Sequence, residues 1–299
     1  MKILVTGSTG LIGSALVPFL KTAGHEVTRL VRTQPRPEAA MVFWDPGAGK
    51  LDSAALEGFG AVVHLSGENI GKGRWTSARK TRIRDSRIKS ARLLSDSLAR
   101  LENPPKVLVC ASAIGYYGDR GDEILREDSA PGSGFLADLC REWEAACEPA
   151  VRKGVRVVNL RNGVVLSDHG GALPQMMLPF RLFVGGKVGS GKQFLSWIAL
   201  DDTLAVVLHA IVTELLEGPV NAVAPNPVTN LEFTKTLGQV IRRPTIFPLP
   251  AFAARLVFGQ MGDELLLASQ RVEPARLAAT GFAFRYPKLE DALRHVLGK

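Results

Sequence analysis

The chain is poor in the residues that staple a fold or hold a metal. Its 299 residues include only three cysteines, Cys110, Cys140 and Cys147, and five histidines. The cysteines have neither disulfide-framework nor metal-ligand spacing, and no histidine pair has zinc-site spacing. No metal is expected, and the thiols read as core or helix residues in a reducing cytoplasm. Long apolar runs are missing too. None reaches the roughly 18 residues that a bilayer-spanning helix needs, so no membrane partner is expected. The first apolar strand starts directly after Met1, so no secretion signal is expected. What remains is ordinary for a globular protein, 46% apolar and 22% charged residues. That length can hold one large α/β domain with a smaller appended region.

Acidic residues are sparse in one place. Between Arg74 and Arg92 stand Arg74, Arg79, Lys80, Arg82, Arg84, Arg87, Lys89 and Arg92 against Asp85 alone, a local +7 in a chain of net +8. An excess this concentrated reads as a solvated helix face and argues against a nucleic-acid partner. Arg87 differs from its neighbours. At about 100° per residue it falls on the stripe of Ile83, Ser90, Leu94, Leu98 and Leu101. A cation on a sheet-facing stripe needs a reason: it reaches a bound cofactor's phosphates, or it snorkels out at the stripe's edge.

The N-terminus carries the clearest motif. Ile3-Leu4-Val5 leads into Thr6-Gly7-x-Thr9-Gly10-Leu11-Ile12-Gly13, then a helical pattern through Leu16, Val17, Phe19 and Leu20, and a second apolar strand ending at Arg32. Strand, glycine turn, helix and strand in that order build a dinucleotide site. Gly7 allows the tight turn, Gly10 lets backbone approach a pyrophosphate, and Gly13 lets the helix pack on the strand. The helix's free N–H groups face the phosphate. An acidic residue at the end of the second strand would bind the ribose 2′-hydroxyl of NAD. This chain has Val31-Arg32 there, with no acid between Glu26 and Glu38. A guanidinium pairs with a 2′-phosphate, so NADP(H) is expected over NAD(H).

Later apolar runs predict strands at Met41–Trp44, Ala61–Leu65 (followed by Ser66-Gly67), Lys106–Ser112 and Arg156–Leu160, with helices near 83–101 and 135–152. The alternation predicts an α/β fold, a doubly wound parallel sheet of the NAD(P)-binding Rossmann type with a smaller C-terminal substrate-side lobe. The boundaries expected are 1–166 for the nucleotide-binding domain and 167–299 for the mixed lobe, and later segments are free to return to the first domain. Thr229-x-x-Glu232 is a capping box opening a helix at 231–243, and a last helix is expected at 288–297.

The Gly-x-x-Gly-x-x-Gly spacing resembles the extended short-chain dehydrogenase/reductase superfamily. Further motifs narrow the likeness. They are Leu65-Ser66-Gly67-Glu68-Asn69-Ile70, Arg74-Trp75-Thr76, Asp85-Ser86-Arg87, Ser112-Ala113-Ile114-Gly115-Tyr116-Tyr117-Gly118, Gly134-Phe135-Leu136, Ser196-Trp197-Ile198 and Asn221-Ala222-Val223-Ala224-Pro225. Together they resemble the atypical "epimerase family protein" subgroup, which carries its own C-terminal domain of unknown function, expected here from about 245 to 299. The resemblance implies NADP binding and a nucleotide-sugar epimerase ancestry. It supports Val31, Arg32, Leu65, Ser66, Gly67 and Arg87 as cofactor contacts and adds Val164 beside the nicotinamide.

The superfamily's acid/base pair is Tyr-x-x-x-Lys, in which lysine lowers the tyrosine pKa so that the phenolate can move a proton. Four residues after Tyr116, Tyr117 and Tyr286 stand Arg120, Gly121 and Glu290, so the pair is absent. Phe135 stands at the tyrosine place, and Leu139 (or Cys140, if the register slips by one) at the lysine place. The subgroup usually has histidine after Ser196-Trp197-Ile198, where this chain has Ala199, with Asp201 and Asp202 following. Candidates for proton transfer are Ser112, Tyr116 and Tyr117, with strand-end capping and aromatic packing as the alternative duties. Arg161 fits either an anionic substrate or a structural carboxylate. Two functions follow: an NADP-dependent oxidoreductase or epimerase acting on a small molecule of unknown identity, or a non-catalytic NADP(H)-dependent sensor or scaffold. The sequence leaves homo-oligomerisation open.

Overall fold

A computed structural model describes residues 1–34 and 40–299; Glu38 lies outside the described residues. The first half alternates as its apolar runs dictate. It contains β1 (Lys2–Thr6), α1 (Leu11–Thr22), β2 (Glu26–Val31), β3 (Met41–Asp45), β4 (Lys50–Leu51), β5 (Ala61–His64), α2 (Ser77–Ala99), β6 (Val107–Ala113), β7 (Ile124–Leu125), α3 (Phe135–Ala145), α4 (Glu148–Arg152) and β8 (Arg156–Asn162). The second half is more broken. It contains β9 (Val164–Leu166), α5 (Leu173–Arg181), β10 (Phe194–Leu195), β11 (Trp197–Ala199), α6 (Leu200–Val212), β12 (Gly218–Ala222), β13 (Val228–Thr229), α7 (Asn230–Ile241), α8 (Ala251–Phe258), α9 (Gln260–Gly262), β14 (Arg271–Val272), α10 (Ala275–Ala279) and α11 (Leu289–Leu297).

Eight strands make the central sheet in the order β12-β8-β6-β5-β1-β2-β3-β4. All neighbours are parallel except β3 and β4. Both faces are covered, and residues alternate between them. Ile3, Val5 and Val63 pack with Leu16 and Leu20 of α1 and Val206 and Val207 of α6. Leu4, Val62 and Leu108 pack on the other side with Leu94 and Leu98 of α2 and Ala150 of α4. Burial on both faces is why the strands read as unbroken apolar runs.

Element ends differ from the sequence reading by a residue or more. The helix expected at 83–101 starts earlier, at Ser77, because the Thr76 hydroxyl accepts the Arg79 N–H. The helix expected over 135–152 divides into α3 and α4. Pro149 stands in the first turn of α4 and lacks the N–H that would continue the ladder. The capping box is present in full, and α7 spans Asn230–Ile241. Two later segments return to the first half's sheet: α6 covers it and β12 forms its edge.

Candidate functional site

Register brings the candidate residues to one edge. Thr6 pairs with Leu30 on one side and His64 on the other, His64 pairs with Cys110, and Ser112 pairs with Arg161. The glycine turn, Val31-Arg32, Leu65-Ser66-Gly67, Ser112 and Val164 therefore lie at or just past the carboxyl ends of the strands. In an open α/β sheet that is where ligands bind.

The glycine turn is built tightly. Gly7 has φ +65°, and a Cβ there would lie 2.7 Å from the Leu65 carbonyl carbon. A Cβ on Gly13 would lie 2.2 Å from the Gly7 oxygen, so α1 could not approach β1 so closely. At Gly10 a Cβ would meet only the Gly7 oxygen, at 3.3 Å, and its other side is open. The loop at Gly170-Gly171 lies against Leu11 on the first turn of α1, with a Gly171 Cβ only 2.8 Å from Leu11 Cδ2. Thr9 and Gly10 are exposed, Leu11 and Ile12 half-buried. No side chain caps α1, so its first N–H groups stay available for an anion.

Two cations flank this turn. Arg32 is exposed directly after β2 and makes no ion pair among the described residues. Arg87 is held from α2 against Gly67, whose Cβ would lie 3.1 Å from the guanidinium carbon. The guanidinium donates to the Ile83 carbonyl at 3.1 Å and stands 5.1 Å from the Trp143 ring centroid. Burial pushes its pKa down to about 10, against the pull of Cys140 and Glu68. A half-buried cation with no carboxylate bonded to it among the described residues is suited to receive an anion.

The acid/base candidates are arranged differently. The Ser112 hydroxyl is 3% exposed and donates to Glu144 Oε1 at 2.7 Å. Arg161 grips the same carboxylate with two bonds of 2.9 Å. Its remaining nitrogen donates to the Tyr117 hydroxyl at 2.9 Å, and that hydroxyl donates to Asn221 Oδ1 at 2.7 Å. Burial pushes the Tyr117 pKa up, and the Arg161 charge pulls it back. Burial alone would lower the Arg161 pKa, but bonding to Glu144 holds it above its ordinary value. Ser112, Tyr117 and Arg161 thus form a bonded network inside the fold. Arg161 takes the structural alternative. Tyr116 is half-buried, its ring 3.5 Å from the Arg161 guanidinium carbon.

The places of the missing pair are apolar in space as well as in sequence. Phe135 stands edge-on to Trp75 at 5.2 Å, and Leu139 is buried with Leu136 and Met261. Trp197 and Ala199 are wholly buried in a second cluster with Leu166. Asp202 accepts the Arg285 and Tyr286 N–H groups at 2.8 and 3.0 Å, and Asp201 accepts from His295 at 2.9 Å. Both acids tie down the C-terminal tail. On α2, Arg79 and Arg82 pair with Glu68, Arg84 with Glu142 and Lys89 with Asp85. Much of the basic run is thereby balanced by neighbouring acids.

The sequence reading missed three groups. His64 lies under the turn, bonded to Thr6 Oγ1 at 2.8 Å and Ser90 Oγ at 3.1 Å. Glu144 joins Ser112 to Arg161. Glu264 reaches from the C-terminal segment to the Phe135 and Leu136 N–H groups at 3.0 and 2.8 Å. Only the polar end of the Ala61–His64 run hinted at the first; sequence distance concealed the others. A cavity of about 840 Å³ lined by Glu144, Cys147, Arg156 and Arg276 opens at the amino-terminal ends of β8 and β12. It lies at the wrong end of the strands for the nucleotide site.

Residues 3–221 match the NAD dependent epimerase/dehydratase family. The chain belongs to that family. Residues 249–296 match a domain of unknown function, DUF1731. An epimerase family protein of Mycobacterium bovis is 44% identical over 97% of this chain and 96% of its own length. The human epimerase family protein SDR39U1 is 38% identical over 99% of this chain and 100% of its own. A crystal structure of the human protein with NADPH superposes with a TM-score of 0.89 at 36% identity and covers both chains completely. A UDP-glucose 4-epimerase from Thermus thermophilus, solved with NAD, shares the fold at a TM-score of 0.77 and 19% identity, covering 100% of this chain and 98% of that one. The family match and the eight-stranded sheet place the chain among Rossmann-type epimerase family proteins.

Proposed function

We propose that this chain is an NADP(H)-dependent oxidoreductase or epimerase acting on a small molecule. The carrying observation is the glycine turn flanked by two cations, Arg32 after β2 and the half-buried Arg87 on Gly67. The site fits the cofactor. The open side of Gly10 and the uncapped start of α1 would hold the pyrophosphate, Arg32 the 2′-phosphate, and Arg87 a phosphate oxygen from the far side. Val31, Leu65 and Ser66 would flank the adenosine half, and Val164 the nicotinamide. The human relative solved with NADPH supports this reading. Bound there, the nicotinamide supplies or accepts hydride. Proton movement then falls to this chain's hydroxyls. Tyr116 is the most accessible of the three candidates. Its ring lies 3.5 Å from the Arg161 guanidinium carbon, which fixes where its hydroxyl points. Ser112 and Tyr117 act through the Glu144–Arg161 network that positions it.

Calorimetric titration with NADPH and NADH tests the cofactor. Arg32→Ala is expected to weaken NADPH by about tenfold or more and leave NADH unchanged. Arg87→Met, which keeps the packing on Gly67, is expected to weaken both. Unchanged affinity in both variants would reject the site. Turnover of NADPH with a panel of carbonyl compounds and nucleotide sugars, lost in Tyr116→Phe, would support catalysis.

A second reading has its own observation. The apolar Phe135 and Leu139 and the committed hydroxyls of Ser112 and Tyr117 suit a non-catalytic NADP(H) sensor. It predicts tight binding, no turnover, and a protein partner whose affinity changes with NADPH. The reducing cytoplasm expected from the free thiols suits either reading.

A further inference from the structure

Exposed large apolar side chains are not scattered over this molecule. Among the described residues, nine of the fifteen lie in two stretches: Leu178, Leu182, Phe183 and Val184, and Ile246, Phe247, Phe252, Leu256 and Val257. The stretches run side by side. The Phe247 N–H donates to the Gly185 carbonyl at 3.2 Å, and the Leu249 N–H to the Lys187 carbonyl at 2.8 Å. Gly186 permits this approach, since its Cβ would lie 2.1 Å from the Phe247 oxygen. From Pro250 the chain enters α8. There Ala254 turns inward, while Phe252 and Leu256, four apart on one face, are 72% and 74% exposed.

The backbone is strained at the same place. Among the described residues, positive φ outside glycine occurs at Phe183 and Arg242 alone, at 62° and 54°. Each closes a helix, Phe183 after α5 and Arg242 after α7, in the left-handed conformation that glycine usually takes, and a side chain held there costs free energy. Phe183 closes α5: its N–H donates to the Phe180 carbonyl at 3.0 Å and the Val184 N–H to the Pro179 carbonyl at 2.9 Å, while the side chains of Leu182, Phe183 and Val184 stay exposed.

The rim identifies the occupant. Arg181, Lys192, Arg242, Arg243 and Arg255 are exposed around the two stretches. Arg255 pairs with Asp263 at 2.7 Å, and Arg243 lies over the Phe183 ring at 4.6 Å. A symmetric second copy would set this basic rim against itself. An anionic phospholipid surface satisfies both parts: headgroups meet the cations, and the apolar side chains enter the headgroup–acyl boundary. We propose that the face made by residues 182–184, 246–247 and the outer side of α8 docks on anionic membrane surfaces. The expectation of no membrane partner rested on spanning length, which does not bear on docking at a surface. Surface docking needs no span, and no helix among the described residues is long and apolar enough to cross a bilayer.

Flotation of the full chain with vesicles tests this. Vesicles of phosphatidylcholine with phosphatidylglycerol are expected to carry the protein, and pure phosphatidylcholine vesicles much less. The double change Phe252→Asp, Leu256→Asp should abolish flotation, and Arg242→Glu with Arg243→Glu should weaken it by about tenfold or more. All variants should keep the wild-type melting temperature and NADPH affinity, since these side chains face outward and stand apart from the glycine turn. Absence of flotation with anionic vesicles overturns the proposal. So does a concentration-dependent dimer that Phe252→Asp, Leu256→Asp dissolves, which would assign the face to a second copy. Equal flotation of wild type and the double variant would place any lipid contact elsewhere.

Discussion

His64 shows how much one residue can impose. It is wholly buried, held between β1 and α2, and desolvation lowers its pKa from 6.5 to about 3. It stays neutral in the folded chain while the unfolded chain binds a proton below about pH 6.5. Its contribution is therefore present above that pH and lost as pH falls, by about 1.4 kcal/mol per pH unit until the folded pKa is reached. His64→Gln can still bond Thr6 and Ser90. Its melting temperature should vary less between pH 6.5 and pH 5 than that of the wild type. Parallel profiles would mean that His64 does not control acid stability. At the same scale, Gly7 and Gly13 are fixed by backbone contact, which explains why the glycine spacing was legible before the fold was known.

At the scale of elements, the informative helix is α3. Sequence alone showed that it lacks the tyrosine and lysine; packing shows what replaced them. Phe135 and Leu139 joined an apolar cluster with Trp75, Phe258 and Met261. The N-terminus of α3 is capped by the Glu264 carboxylate instead of a local side chain. Glu264→Ala leaves two N–H groups unpaired and should lower stability by about 1–2 kcal/mol. Hydrogen exchange at Phe135 and Leu136 should accelerate more than exchange across β1. Unchanged protection there would show that the clasp is idle. Helix α7 offers the contrast, because its cap from Thr229 and Glu232 is entirely local and was readable from spacing alone.

At the scale of the whole molecule, the DUF1731 segment is bound to the nucleotide half at several points. Phe258 and Met261 cover Trp75, and β14 pairs with β7. A molecule tied together in this way should unfold as one unit. NADPH at a hundred times its dissociation constant should add about 2.7 kcal/mol to stability. In a chain of this size that raises the melting temperature by about 5 °C. One transition should shift as a whole, by calorimetry. A second, unshifted transition would mean that the C-terminal segment folds on its own.

The sequence by itself determined the parallel sheet, the glycine turn and the absence of the usual proton-transfer pair. Each depends on short-range pattern: apolar runs buried on two faces, glycines whose Cβ would strike backbone, residue types four apart. Tertiary structure decided the rest. It joined Ser112, Glu144, Arg161, Tyr117 and Asn221 into one network spanning β6, α3, β8 and β12, and returned α6 and β12 to the sheet. It also set Leu182–Val184 beside Ile246-Phe247 as an exposed face. Such contacts bring together groups tens to more than a hundred residues apart, and no local period in a chain encodes which distant partner a side chain will meet.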